Sequence, residues 1–343
     1  MAPSEDDPGS GRRAHRRSEP PVRTATARHY LMCRPDHFTV SYEINPWMDA
    51  SLPTDRDLAV AQWQELRDLY VSLGHTVELI DPIPDLPDMV FAANGATVLD
   101  GVVYASHFHH EERRGEGPAY LRWFEERGYA THAATEVNEG QGDVLLVGGL
   151  LLAGTGFRTT LAAHAELQEV LGRPVISLSL VNPHFYHLDT ALTVLDESDG
   201  RAEIAYFPAA FSPGSQRVLR HLFPDALVVG ADDAGALGLN AVSDGLHVVV
   251  SPQAVSYQEQ LRDRGFEPIP VDTSELLKGG GGAKCCTLEL CTTSSVAAAA
   301  ADPSAARGSG DPDGPGASDG ADGPEGPEGP EGPDGDGRRD AAA

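Results

Sequence analysis

The order of secondary-structure segments repeats along the chain, and this repeat constrains the fold more than any other feature. Two strand-like segments joined by Asp100-Gly101 precede a helix-like segment at 111–128. Two more, joined by Gly148-Gly149, precede a helix-like segment at 158–171. Asp-Gly and Gly-Gly pairs between apolar runs are typical of hairpins. An α/β unit of strand, strand, helix and strand that recurs roughly every 40–60 residues predicts similar units closed around an axis, in a number that periodicity leaves open.

The two ends of the chain differ in composition from its middle. Residues 1–27 are rich in Pro, Ser, Asp and Arg without an apolar period, and residues 293–343 are Ala-rich before they run into Gly-Pro-Glu repeats. Segments of this composition cannot bury enough apolar surface to offset the entropy of ordering. We therefore expect a disordered leader over 1–27, one folded domain over 28–292 and a disordered acidic tail over 293–343.

A net charge of −27 in 343 residues narrows the classes of partner. Such acidity argues against nucleic acid and anionic membranes and favours a cationic small molecule. No apolar run approaches the ~20 residues of a membrane helix, and the leader has no apolar core of a secretory signal. Four cysteines, three of them within residues 285–291, suit free thiols in a reducing compartment. We expect a cytoplasmic protein and leave homo-oligomerisation open.

A run of four glycines, Gly279–Gly282, leads to two adjacent cysteines. Because glycine allows backbone to approach a ligand closely, a thiol just beyond the run is a candidate nucleophile. We predict a strand over 285–291, in which neighbouring side chains face opposite sides. Cys285 then faces the polar side of that strand and Cys286 the apolar side. This pattern predicts that Cys285 is the exposed, reactive thiol and that Cys286 is buried.

Two clusters of ionisable residues lie in apolar or glycine-rich settings. In a predicted strand over 188–195 and its approach, His187 and Asp189 point to the same face, where the carboxylate can orient the histidine or hold it protonated. Glu139 and Asp143 flank small residues before an apolar run and suit a guanidinium or ammonium group. Taken alone, the first cluster fits a solvated strand face better than a site, and the second fits an ordinary turn equally well.

Two further segments carry residues that suit a pocket. Asp88, Phe91 and Asn94 can form a mixed apolar and polar wall, although a Pro-Asp turn before a strand over 89–98 explains them as well. Arg158 follows two glycines at a predicted helix start, where a cation opposes the helix dipole. It therefore fits a carboxylate clamp, with an exposed helix arginine as the alternative.

The sequence supplies no convincing metal or cofactor motif. His107, His109 and His110 form part of a possible metal site, but no other His/Cys cluster is placed to complete it. The glycine run Gly279–Gly282 lacks the Gly-Lys-Ser/Thr ending of a phosphate-binding loop. We expect neither a metal nor a cofactor.

Together and in this order, the clusters resemble the guanidine-modifying superfamily, which includes dimethylarginine dimethylaminohydrolases, arginine deiminases, arginine dihydrolases and amidinotransferases. The resemblance covers residues 30–290, and the ordered set is more specific than any one motif. It implies the five-bladed α/β propeller, or pentein, fold. It also implies a hydrolase that acts on the guanidino C–N bond of arginine or an Nω-methylated arginine through a covalent cysteine intermediate.

The same resemblance implies roles for individual residues. Cys285 matches the nucleophile, His187 the histidine that protonates the leaving amine and then activates water, and Glu139 the carboxylate that binds the guanidinium nitrogens. Supporting acids of the family match Asp143 and Asp189, and its pocket residues match Asp88 and Phe91. The arginines that bind the α-carboxylate of the substrate match Arg158 and Arg113.

Asn94 departs from part of this family. Dimethylargininases and arginine deiminases usually carry a carboxylate at this position, whereas Asn94 resembles arginine dihydrolases, which convert arginine to ornithine. A neutral amide holds a guanidinium less strongly than a carboxylate does and can accommodate a neutral ureido intermediate. Citrulline formation, full hydrolysis to ornithine, amidinotransfer to an amine and a non-catalytic pentein that binds a partner therefore stay open.

Overall fold

Five three-stranded sheets of one construction form the part of the protein that the computed structural model describes, residues 21–197 and 202–292. In every sheet two strands are antiparallel, and the third lies parallel to the middle one. A helix-containing connection leads to that third strand. The repeated unit predicted from the sequence is therefore confirmed, and it occurs five times.

The elements are numbered in chain order. The strands, sheet by sheet, are β1 His29–Cys33, β2 Thr76–Ile80 and β15 Leu288–Glu289; β3 Ala96–Leu99, β4 Val102–Ala105 and β5 Ala130–Ala133; β6 Val144–Val147, β7 Leu150–Thr155 and β8 Val175–Ser179; β9 Leu192–Asp196, β10 Glu203–Tyr206 and β11 Leu227–Val228; β12 Val242–Ser243, β13 His247–Val250 and β14 Glu267–Pro270. The helices are α1 Arg56–Ser72, α2 Glu116–Glu125, α3 Leu161–Leu171, α4 Leu188–Ala191, α5 Pro213–Leu222, α6 Ala231–Gly235, α7 Val255–Asp263 and α8 Ser274–Leu277.

The last strand of the chain completes the first sheet. β15 pairs antiparallel with β1, so that Tyr30 lies opposite Glu289 and Leu31 opposite Leu288. Residues of β3, β6, β9, β12 and β15, one strand from each sheet, line a single cavity. The five sheets therefore surround a common axis, as the internal repeat predicts.

Burial follows the position of each strand relative to this axis. All four residues of β3 are buried, whereas β5, at the outer edge of the same sheet, is mostly exposed. The helices cover the sheets from outside. In α1, Ala59, Trp63, Leu66 and Tyr70 recur at the helical period and enter the core beside β1. Burying a large apolar side chain stabilises a fold by about 1.5–3 kcal/mol, so this stripe fixes the helix against its sheet.

The strand predictions for three segments are wrong in part. Residues 89–95 lie in two short 3₁₀ turns, and β3 begins only at Ala96. Residues 188–191 form the short helix α4 before β9. Residues 283–286 form a turn, which leaves only the two residues of β15 as a strand. Each segment bonds its backbone to side chains from other parts of the chain, which strand periodicity does not anticipate.

The expected leader and tail fall largely outside the described residues. These omit residues 1–20 and 293–343, so the expected disorder there stays a prediction. Within the described ranges, no helix combines the length and apolar character needed to span a membrane.

Arg23 ties the N-terminal segment to two sheets, so packed structure begins before residue 28. Its guanidinium lies 3.2 Å from the Asp196 carboxylate and 2.8 Å from that of Glu203. Its Nε donates to the carbonyl oxygen of Arg264 at 2.8 Å. The guanidinium carbon also lies 3.4 Å from the centroid of the Phe266 ring. The side chain is buried, so these contacts are shielded from solvent.

We predict that Arg23→Ala lowers the free energy of unfolding by about 3 kcal/mol, because it removes a buried guanidinium from the buried carboxylate of Asp196. Urea unfolding followed by circular dichroism measures the loss. Arg67→Ala is the matched control, because Arg67 pairs with Asp68 on an exposed helix face and should cost about 0.5 kcal/mol. Equal losses in the two variants would contradict a role for Arg23 in holding the sheets.

Candidate active site

The glycine run and the candidate nucleophile form one tight turn held by Asn240. The side-chain oxygen Oδ1 of Asn240 accepts hydrogen bonds from the backbone N–H groups of Gly282 at 2.9 Å and of Cys285 at 3.1 Å. Gly280 has a φ of +89°, in the left-handed region that favours glycine. An added Cβ there would also lie 2.9 Å from the hydroxyl oxygen of Tyr186. Glycine is therefore required at position 280 both because of its left-handed backbone conformation and because a side chain would not fit.

The two cysteines diverge because they lie in this turn and not in a strand. The N–H of Cys286 donates to the carbonyl oxygen of Gly282 at 3.2 Å, as in a single helical turn, where successive side chains point about 100° apart. Both cysteines lie in the core cluster that contains Tyr70, but the sulfur of Cys285 donates to Asp189. The prediction that Cys285 is an exposed thiol is wrong, because its exposed fraction is 2%.

The sulfur of Cys285 lies between a hydrogen-bond acceptor and a donor. Sγ is 3.3 Å from Oδ2 of Asp189 and 3.0 Å from Nδ2 of Asn240. Burial, and next the negative charge of Asp189, raise the pKa of the Cys285 thiol well above its ordinary value. At neutral pH the sulfur is therefore protonated and donates to Asp189. A cation brought near it would favour the thiolate.

His187, Glu139 and Arg158 form a buried line of polar contacts centred on the Glu139 carboxylate. Nε2 of His187 is 2.6 Å from Oε2 of Glu139, and Nη1 of Arg158 is 3.2 Å from the same oxygen. Burial pushes the pKa of Glu139 upward, but Arg158 and His187 outweigh this effect and hold it well below its ordinary value. Glu139 is therefore an anion at neutral pH. Arg158 also donates to the carbonyl oxygen of Ile44 at 2.7 Å.

Asp143 fixes the turn that carries the histidine. Its Oδ1 accepts from the backbone N–H of Leu188 at 3.1 Å, and its Oδ2 accepts from the Thr159 hydroxyl at 2.7 Å. The first bond stabilises the start of α4, so His187 and Asp189 do not share a strand face. His187 turns toward Glu139, whereas Asp189 turns toward the thiol. The prediction of a common face is therefore wrong.

Arg113 fixes the orientation of the Asn94 side chain through a hydrogen bond to its oxygen. Its Nε and Nη2 lie 2.8 Å and 2.7 Å from the two carboxylate oxygens of Glu116, and its Nη1 donates to Oδ1 of Asn94 at 2.8 Å. Nη2 also donates to the backbone oxygen of Asp88 at 3.2 Å, and the Asp88 carboxylate accepts from Tyr42 at 2.9 Å. Because arginine has only donors, the contacting atom of Asn94 is its oxygen. The amide NH₂ of Asn94 therefore points away from Arg113.

Gly142 lies where Asn94 and His187 meet. An added Cβ on Gly142 would collide with Nδ2 of Asn94 and lie 3.2 Å from Nδ1 of His187. On the thiol side, an added Cβ on Gly281 would lie 2.5 Å from the Phe91 ring and 2.8 Å from Cβ of Cys285. Gly142 thus lets Asn94 and His187 approach the backbone closely, and Gly281 does the same for Phe91 and Cys285.

The structure brings together every residue that the sequence analysis assigns to the site. All ten are at most 5% exposed: Asp88, Phe91, Asn94, Arg113, Glu139, Asp143, Arg158, His187, Asp189 and Cys285. Arg158 precedes α3, which begins at Leu161, so it is a loop residue and not part of the predicted helix.

Sequence reasoning missed three residues that hold this set in place. Asn240 carries the nucleophile turn, Glu116 neutralises Arg113, and Thr159 bonds Asp143. Glu116, three residues after Arg113 near the start of a helix, had a local signal as an i, i+3 ion pair. Asn240 had none, because its partner Cys285 is 45 residues away.

Four buried polar atoms of the site have no protein partner: Oδ1 of Asp88, Nδ2 of Asn94, Nδ1 of His187 and Oδ1 of Asp189. Buried polar groups are normally satisfied, so such a concentration indicates a place where a ligand bonds. Two carboxylate oxygens suit the N–H groups of a cation. In the described ranges no three His, Cys, Asp or Glu side chains are grouped to hold a metal ion.

Comparison with known proteins agrees with this geometry. The chain is 53% identical over 267 residues to N(G),N(G)-dimethylarginine dimethylaminohydrolase of Mycobacterium tuberculosis, a match that covers 78% of this chain and 87% of the relative. The chain belongs to the dimethylarginine dimethylaminohydrolase family. It is accordingly an enzyme, a hydrolase that acts on C–N bonds, within the guanidine-modifying superfamily.

More distant relatives extend the comparison. The chain is 38% identical to the bifunctional arginine dihydrolase/ornithine cyclodeaminase ArgZ of Synechocystis, over 73% of this chain but only 36% of that longer protein. The crystal structure of the N-terminal domain of ArgZ bound to substrate superposes with a TM-score of 0.74 at 36% identity, covering 77% of this chain and 98% of the other. A dimethylarginine dimethylaminohydrolase adduct at 20% identity has a TM-score of 0.62 and supports the pentein fold alone. The chain matches no family model.

We predict that Gly142→Ala lowers kcat/KM by at least about 100-fold, because the added methyl group displaces Asn94 and the His187 ring, and misplacement by about 1 Å is that costly. Steady-state kinetics on the substrate that the wild type turns over measures the loss. Gly235→Ala is the matched control, since an added Cβ at this helical position meets no atom within 4 Å. Unchanged kinetics in Gly142→Ala would contradict the proposed crowding.

Proposed function

We propose that this enzyme hydrolyses the guanidino C–N bond of arginine or of an Nω-methylated arginine, releasing citrulline and ammonia or an alkylamine. The observation that carries the proposal is the buried Cys285 thiol beside Asp189, next to the ion-paired His187 and Glu139. A thiol, a histidine and acids that bind cations are the groups that this reaction needs. The 53% identical dimethylarginine dimethylaminohydrolase supports the same assignment.

In the first half of the reaction, the Cys285 thiolate attacks the guanidinium carbon. A C–S bond forms, and the tetrahedral intermediate collapses as the C–N bond to the leaving nitrogen breaks. His187 delivers a proton to that nitrogen, so a neutral amine leaves and a thiouronium-type adduct stays on the sulfur. Glu139 stabilises the protonated histidine before transfer, because its carboxylate is 2.6 Å from Nε2.

In the second half, water attacks the carbon of the adduct. His187, now neutral, accepts a proton from this water as the C–O bond forms. The C–S bond then breaks, which returns the sulfur as a thiolate. The second proton of the attacking water passes to solvent, which leaves the carbon as the neutral ureido group of citrulline. One histidine thus acts as acid and then as base, as microscopic reversibility favours.

The cationic substrate helps to activate its own nucleophile. Without it, burial and Asp189 keep Cys285 protonated. A guanidinium that donates to the free oxygens of Asp189 and Asp88 places a positive charge near the sulfur and stabilises the thiolate. Substrate binding and nucleophile formation are therefore coupled.

We assign the α-carboxylate of the substrate to Arg158, whose guanidinium lies 3.2 Å from Glu139. Arg158 stacks 4.8 Å from the centroid of the Tyr186 ring and joins Glu139 to the backbone at Ile44. Arg113 is the second arginine that the family resemblance suggests for this role. Because Glu116 and Asn94 take most of its donors, we assign it instead to orienting Asn94.

A second candidate is full hydrolysis of arginine to ornithine, and the orientation of Asn94 favours it. The unpartnered amide NH₂ of Asn94 is a donor, which repels the N–H groups of a guanidinium and suits a neutral carbonyl oxygen. A retained ureido group could then meet the thiolate a second time. The 38% identity to the bifunctional arginine dihydrolase ArgZ supports this candidate more distantly.

Mass spectrometry of products distinguishes the candidates. We expect arginine or asymmetric dimethylarginine to be consumed in buffer alone, with citrulline as the first product. Ornithine that appears from added citrulline would support the second hydrolysis. No consumption of either substrate, even with glycine or ornithine present as amine acceptors, would contradict every catalytic assignment made above.

We predict that Cys285→Ser abolishes turnover, whereas Cys286→Ser retains most of it. The two thiols are adjacent, but only Cys285 contacts Asp189 and Asn240. Cys286→Ser is thus a matched control for a change of sulfur to oxygen at the same turn, with its folding checked by thermal denaturation. Equal loss of kcat in two folded variants would rule out Cys285 as the sole nucleophile.

A further inference from the structure

Asn240 bonds to the backbone of the nucleophile turn and also to the sulfur of Cys285. It precedes β12 in the fifth sheet and is 2% exposed. Besides accepting from the N–H groups of Gly282 and Cys285, it donates from Nδ2 to the backbone oxygen of Asp189 at 3.2 Å. The same Nδ2 lies 3.0 Å from the sulfur of Cys285. One amide therefore contacts both the backbone and the reactive atom of the nucleophile.

The partners of Asn240 determine which way its amide points. Two backbone N–H groups can bond only to its oxygen, and a backbone carbonyl can bond only to its nitrogen. The N–H groups must then face Asp189 and the sulfur. A flipped amide would place donor against donor twice, so only this orientation satisfies the contacts.

We propose that Asn240 is a positioning residue for the nucleophile, which aims Cys285 through the backbone and stabilises its thiolate through an N–H bond to sulfur. The inference rests on the proposed role of Cys285. In the thiol state, sulfur donates to Asp189 at 3.3 Å; in the thiolate state, it accepts from Asn240 at 3.0 Å. Asp189 favours the protonated form and Asn240 favours the anion. A single preorganised donor to a developing anion is worth about 100-fold in rate or more.

Asn240→Asp separates the two functions of the residue. The carboxylate has nearly the same shape and still accepts from Gly282 and Cys285, so the turn keeps its support. The variant loses the donor to sulfur and gains a negative charge beside it. Asn240→Ala removes both functions. A purely structural residue would tolerate Asp better than Ala, whereas a residue that stabilises the thiolate would not.

The test is the pH dependence of Cys285 alkylation by iodoacetamide in the substrate-free enzyme, followed by the mass of the Cys285 peptide. In Asn240→Asp we expect the midpoint of the profile to move upward by at least about one pH unit, which is about a tenfold slower reaction at neutral pH. We expect kcat to fall by about 100-fold or more, with KM little changed. A wild-type alkylation profile in folded Asn240→Asp would overturn the proposal.

Asn182→Asp is the matched control, because it adds the same charge at a half-buried turn whose side chain bonds only to the backbone N–H of His184. Its alkylation profile should coincide with that of the wild type. If Asn240→Asp does not fold, Asn240→Ala is measured in the same way, and an unmoved midpoint there overturns the proposal. The alkylation profile needs no substrate, so failure of the enzyme to consume guanidines would contradict the proposed function without deciding the role of Asn240.

Discussion

Closure of the ring by β15 is the constraint on which the site depends. Because the last strand pairs with the first, the segment before it lies against residues that are far away in sequence, and Cys285 contacts two of them. Asp189 is 96 residues from Cys285, and Asn240 is 45 residues away. No one sheet contains the site. Most site residues instead come from the segments that precede β3, β6, β9, β12 and β15, one from each sheet.

Burial then determines the chemistry of the site. Glu139 stays ionised because Arg158 and His187 are close, whereas burial raises the pKa values of Asp88 and Asp189 and of the Cys285 thiol. The site therefore has acids ready to receive a cation and a thiol that is not yet a nucleophile. This arrangement keeps the thiol protonated, and therefore unreactive, until a cationic substrate binds. It also makes catalysis depend on the charge of the bound molecule and not on its shape alone.

The sequence predicts the repeat, the pentein fold and all ten clustered residues, because these depend on short-range patterns and on an ordered set of motifs. Local geometry was less predictable. The strand expected at His187 begins with a turn because Asp143, 45 residues earlier, binds the N–H of Leu188. The strand expected at Cys285 is a turn because Asn240 binds its backbone. The alternating pattern predicts a polar strand face around Cys285, whereas the polar contacts of its sulfur come from Asp189 and Asn240. At His187 and Cys285, contacts between distant segments override the secondary structure that hydrophobic periodicity predicts. Such contacts are concentrated at functional sites.

The central claim is that a bound cation converts the buried thiol into the nucleophile. Ultraviolet difference absorbance of the thiolate tests it most directly, when the enzyme is titrated at neutral pH with an unreactive alkylguanidinium and Cys285→Ser serves as the blank. The account predicts little thiolate signal from Cys285 in the free enzyme and a rise that saturates with ligand binding. A full thiolate signal before ligand is added, or no rise at saturation, would contradict it.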